Sequence, residues 1–148
     1  MSDGVLYDQD FYLWLEKTAD LLKKRRFEEL DLTHLVEEIE SMGRSERREL
    51  KSLLKLIITH LLKWQYQPQM RPYYGNSWVS TIINQRSDLL LLLEDSPSLK
   101  GLLEESWKDC YQIARRDAAK ETGLSEDVFP VDCPFELAEV LDPEYLPS

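Results

Sequence analysis

A chain of 148 residues, 43% hydrophobic and 31% charged, is long enough to bury one sizeable core and too apolar to stay disordered. With five Gly, abundant Leu, Glu and Lys, and no run of alternating β-branched residues, it predicts an all-α domain and excludes a β-rich one. The net charge of −10 argues against general binding to DNA, RNA or anionic membrane.

The charge is unevenly spread. From Leu50 to Ser87 there is no acidic residue, while Lys51, Lys55, Lys63, Arg71 and Arg86 are basic. After Lys120 the pattern inverts, with eight acidic residues from Glu121 to Glu144 and none basic. Either the acidic end folds over the basic middle, or both are solvated, or the middle meets an anionic partner. Cys110 and Cys133 are too few for a disulfide scaffold, and Cys110 falls in an apolar stripe that predicts a buried thiol. Met1 to Asp10 carries three Asp and no basic residue, unlike a signal peptide. No apolar run approaches the ~20 residues of a membrane span. These features predict a soluble cytoplasmic protein with no membrane partner.

In chain order, a first helix is expected over about 8–24, capped by Asp8 or Asp10. Phe11, Trp14, Leu15, Leu21 and Leu22 supply its apolar side. After a short connection, Asp31 is placed to cap a second helix over 32–42. Leu32, Leu35, Val36, Ile39 and Met42 share one of its faces; His34, Glu37, Glu38 and Ser41 share another. Gly43 ends this helix or interrupts it, the alternative being one long helix kinked there.

The central helix is expected over 45–67. Its apolar positions, Leu50 through Trp64, cover a sector of about 240°, so several neighbours must pack on it. Ser52, Lys55, Thr59 and Lys63 form the polar strip, and His60 lies inside the apolar sector. Two Pro and a Gly-Asn pair predict a loop over 67–77. Tyr66, Tyr73, Tyr74 and Trp78 crowd around it, either covering a core edge or stacking bases beside Lys63 and Arg71. A fourth helix over 78–94 has Arg86 in the middle of its apolar stripe. A fifth starts at Pro97 and ends before Gly123, with Asp117 and Glu121 on its core side. From Phe129, Pro130, Pro134, Pro143 and Pro147 leave room for one short helix over 135–141. The expected architecture is therefore a single all-α domain, 1–148, with a bundle of about five helices at 7–128 and a C-terminal strap at 129–148.

Arg86 is the sharpest sign of a polar site. An Arg in an apolar stripe must meet a carboxylate or reach water, and breaking such a buried pair costs about 3–5 kcal/mol. Glu38, Asp117 and Glu121 are the candidate partners, with His60 in the same network. Such a cluster either fixes helix register or lines a pocket for an anion or polar ligand. Lys51, Lys55, Lys63 and Arg71 are the candidate anion-facing set. His34, Glu37, Glu38 and His60 are metal-ligand types. Carboxylate-bridged bundles use paired Glu-x-x-His, however, and here the order is reversed and occurs once. No metal or cofactor is therefore expected. There is no P-loop, G-x-G-x-x-G, H-E-x-x-H or G-x-S-x-G, and no spacing supports a Cys–His pair.

Four phrases stand out, HLVEEIESMGRSERREL, HLLKWQYQP, SWVSTIINQRSDLLLLLEDSPSL and FPVDCPF, and of these HLLKWQYQP and QRSDLLLLLEDSPSL are specific. They resemble the domain-of-unknown-function family numbered 29, common in cyanobacteria, over about residues 7–147. The resemblance implies a helical fold and a bacterial intracellular protein. It supplies no activity, cofactor or catalytic residue. The leading expectation is a non-catalytic protein-binding or assembly module, its partner another protein or a second copy. A second is binding of an anionic ligand or nucleic acid through the basic middle, with nucleic acid disfavoured by the acidic total. A third is an enzyme built on Glu38, His60 and Arg86.

Overall fold

A computed structural model describes residues 3–148; Met1 and Ser2, part of the acidic opening weighed above, lie outside the described residues. Six α-helices account for the regular structure: α1 Asp3–Gln9, α2 Phe11–Lys23, α3 Leu32–Tyr66, α4 Arg71–Asp95, α5 Leu99–Thr122 and α6 Leu137–Leu141. Single 3-10 turns lie at Phe27–Glu29, Pro68–Met70 and Glu126–Val128, and no strand occurs among the described residues. The chain divides into two compact units between Glu46 and Arg47, inside α3.

In the first unit, the expected opening helix is two. Asp10 leaves helical geometry at φ −149°, and its carboxylate accepts from the Leu13 N–H at 3.0 Å, so it caps α2. Trp14, Thr18 and Leu21 recur at helical spacing as the buried stripe of α2. The helix closes with Arg25 in the left-handed region at φ 57°. There the Arg25 N–H reaches Leu22 O at 3.1 Å and the Arg26 N–H reaches Leu21 O at 2.9 Å. Asp31 caps α3 as expected, accepting from the His34 N–H at 3.3 Å. No break occurs at Gly43. A Gly in a helix interior costs only about 1 kcal/mol, which the flanking helix formers outweigh. The second and central helices are thus the single 35-residue α3.

The second unit is a helical bundle built on the later part of α3. Leu50, Leu54, Ile57, Ile58, Leu61 and Leu62 of α3 have no exposed surface. They pack with Ile82 and Leu89 of α4, Leu103, Tyr111, Ala114 and Ala118 of α5, and Phe129, Phe135 and Val140 beyond it. The expected loop over 67–77 is only one 3-10 turn, and α4 begins at Arg71. Pro72 is tolerated because it sits in the first turn, where its missing N–H has no helical partner anyway. Gly75 lies inside α4 because Trp64 packs against it: a Cβ there would meet Trp64 Cζ3 at 3.2 Å. Gly123 ends α5 in the left-handed conformation, φ 75°.

The strap is held through its main chain. A Pro-rich, irregular segment leaves carbonyls without helical donors. Helix side chains supply them: Tyr111 Oη donates to Pro130 O at 2.5 Å, Gln112 Nε2 to Val131 O at 2.8 Å and Arg115 Nε to Phe129 O at 3.0 Å.

Candidate functional site

Arg86 is 3% exposed, and the guanidinium meets carbonyls of the strap where carboxylates were expected. Its Nε donates to Val140 O at 2.8 Å, Nη1 to Tyr145 O at 2.7 Å and Nη2 to Glu139 O at 3.2 Å. Burial pushes the guanidinium below its usual value, and Asp142 opposes that shift. The planar fork of donors suits three converging oxygens.

The other members of the expected polar cluster are distributed elsewhere. Glu38 belongs to the first unit, where it accepts from the Tyr7 hydroxyl. Asp117 pairs with Lys55 at 3.6 Å, and Glu121 pairs with Lys63 at 3.5 Å. His60 is half-buried; its Nδ1 bonds Leu56 O at 2.9 Å, and burial lowers the imidazole below its ordinary value. Lys63 and Glu121 act on that ring with opposite signs.

Tyr7 organises the first unit. Its ring stacks on His34 at 4.0 Å and meets Trp14 edge-on at 4.9 Å. The bond to Glu38, with burial behind it, pushes the phenol up to about 12. His34 Nδ1 lies 2.5 Å from the Asp31 carboxylate, which raises the imidazole and lowers the carboxyl. The sequence reading missed Tyr7 because it began the first helix one residue later. The spacing Tyr7, Phe11, Trp14 was the available signal.

Of the basic set, Arg71 is fully engaged. Its Nε donates to Trp64 O and its Nη2 to Ser148 O, each at 2.9 Å, and the guanidinium lies 4.4 Å over the Trp64 ring. Lys51 and Lys55 line a groove of about 270 Å³ with Arg48, Ser52 and Cys110. Burial pushes the Cys110 thiol up, which keeps it protonated and inert.

Lys63 faces a different cavity, of about 400 Å³, with Gln67, Met70, Tyr74, Trp78 and Glu121. Lys63 and Gln67 are each 9% exposed and Trp78 is 8%. Tyr74 and Trp78 fall one turn apart on α4, their rings 6.0 Å between centroids. The Gln67 carboxamide bonds no other described residue. Among the described residues, no three His, Cys, Asp or Glu side chains converge to ligate a metal. No helix among them is long and apolar enough to cross a membrane.

Neither a curated protein nor a solved structure matches the chain. The family described as Domain of unknown function DUF29 matches residues 6–146, nearly the whole sequence, and the chain belongs to that family.

Proposed function

We propose that the protein is a non-catalytic assembly module that pairs with a second copy of itself through its first unit. One observation carries this reading. Leu32, Val36, Ile39 and Met42 recur along one face of α3 and are each 50% to 65% exposed. Among the described residues of the same unit, the buried hydrophobic ones are Trp14 and Leu21. Helices with so small a core are not stable on their own, and a contiguous apolar stripe marks an interface.

The charge along α3 favours a second copy as the occupant. Glu37 and Glu40 are exposed beside the stripe, and Arg44 is exposed one turn beyond. When two identical helices pair antiparallel about a two-fold axis, the acidic stretch of each meets the Arg of the other while the stripes close on themselves. No comparable argument favours nucleic acid, since the stripe is apolar and the basic groups nearest to it alternate with carboxylates. The same reading takes the protein as bacterial and cytoplasmic, on the family resemblance.

Light scattering across a concentration series tests it. The wild type is expected as a dimer, and Val36→Glu with Ile39→Glu as a monomer whose second unit still melts cooperatively. A wild type that stays monomeric at high micromolar concentration overturns the proposal.

A further inference from the structure

The cavity beside Lys63 is independent of the assembly surface and has the features of a built site. Two of its polar residues, Lys63 and Gln67, are each only 9% exposed. Lys63 has three donors, and the acceptor facing them is Glu121 at 3.5 Å, the outer range of an ion pair. Gln67 brings a carboxamide with no partner among the described residues. Lys63 meets Glu121 at the outer range of an ion pair and Gln67 lines the cavity beside it, so both can take groups that come from outside. The remaining wall is apolar and aromatic, from Met70, Tyr74 and Trp78. A volume of about 400 Å³ lies within the usual range for small-molecule sites.

We propose that this cavity binds a small zwitterion, an α-amino acid with an apolar or aromatic side chain. The charges select that class. A simple anion that reaches Lys63 meets Glu121 beside it, and the chain's net charge of −10 opposes its approach. A simple cation drawn to Glu121 meets Lys63. A molecule carrying both signs completes both groups: its carboxylate accepts from Lys63 and the Gln67 amide, and its ammonium donates to Glu121. Its side chain then lies against Tyr74 and Trp78, where an aromatic ring gains most.

The test is calorimetric titration of the full-length chain with L-phenylalanine, L-tryptophan, L-leucine and L-methionine. Phenylpropionate and phenylalanine amide serve as the single-charge controls. At least one amino acid is expected to bind, more tightly than either control. Lys63→Met and Gln67→Leu should each weaken that binding by about tenfold, equivalent to ~1.4 kcal/mol, while the thermal midpoint holds. Tyr74→Ala removes a half-exposed wall residue without touching the core, and should weaken the aromatic amino acids more than leucine. The proposal is overturned if none of the four binds at millimolar concentration. It is equally overturned if phenylpropionate binds as well as phenylalanine, or if binding survives both Lys63→Met and Gln67→Leu.

Discussion

The Tyr7 hydroxyl donates to the Glu38 carboxylate, tying α1 to α3 across the first unit. Tyr7→Phe removes that bond and keeps the ring on His34, so it should lower the unit's thermal midpoint less than Tyr7→Ala does. The phenol titrates at about 12 when folded, against 10.0 when free. A folded value above the unfolded one means its contribution is whole below pH 10 and is lost as the pH rises through about 12. Tyrosinate absorbance in an alkaline titration checks this: Tyr7→Phe should lose one late-ionising group.

The two histidines should pull stability in opposite directions. Asp31 raises His34, so its contribution is full below pH 6.5 and is lost as the pH rises through the higher folded value. The same bond lowers Asp31, whose contribution is present above about pH 3.8 and is lost as the pH falls through its folded value. Burial lowers His60, so stability drains away as the pH falls below 6.5 and the unfolded chain takes up the proton first. His34→Gln should remove the alkaline loss and His60→Gln the acid one. In an NMR titration, the imidazole lost in His34→Gln should titrate above 6.5 and the other below it. The reverse order would contradict both assignments.

Arg86→Met should destabilise the second unit by about 3 kcal/mol, because it leaves three strap carbonyls without their charged donor. Arg86→Lys should recover only part of this, since one ammonium cannot span three oxygens in the guanidinium's plane. Limited proteolysis gives the readout: cleavage near Glu139–Tyr145 should quicken in both variants, more in Met.

Gly75 and Gly101 form an internal comparison. Both lie inside helices, where Ala is favoured by about 1 kcal/mol. Gly101→Ala meets nothing within 4 Å and should stabilise by close to that amount. Gly75→Ala crowds Trp64, whose Nε1 is held by Pro147 O at 2.8 Å and whose face carries Arg71. The ring cannot retreat, so the net effect should be a loss of about 1 kcal/mol. Chemical denaturation of the two variants side by side separates propensity from packing.

Arg25 adopts a left-handed conformation that costs a side-chain-bearing residue roughly 1–2 kcal/mol. Arg25→Gly should therefore stabilise the end of α2 by about 0.5–1 kcal/mol, after the added freedom of the unfolded glycine. Arg25→Ala, which keeps a Cβ, should leave stability nearly unchanged.

The all-α class, the cap at Asp31, the end at Gly123 and the fully buried face of α3 were legible because each depends on residues close in sequence, whereas the sequence left the first cap open between Asp8 and Asp10. The failures were non-local. Pro72 and Gly75 read as loop signals, yet one occupies the first turn of a helix and the other makes room for Trp64. The stripe Leu32, Val36, Ile39, Met42 was recognised as apolar, but periodicity does not say what covers a face. Arg86 stood out for its place in an apolar stripe, yet its acceptors are carbonyls that every residue possesses, so no side-chain pattern pointed to Glu139, Val140 or Tyr145. Gln67 and Tyr74 were assigned to a loop, which hid their place around one cavity.

The strap has an evolutionary consequence. Trp64, Arg71, Arg86, Tyr111, Gln112 and Arg115 all donate to its main-chain oxygens. Such a grip follows the path of the chain and is indifferent to its spelling. Apart from the buried Phe129, Phe135, Val140 and Pro147, and from Cys133, Leu137, Leu141 and Tyr145 that pack against the core, the strap can change its letters freely among relatives. Its length cannot drift in the same way: one residue inserted between Pro130 and Tyr145 would carry carbonyls past their donors. Relatives should therefore differ in this tail by substitution far more than by insertion or deletion.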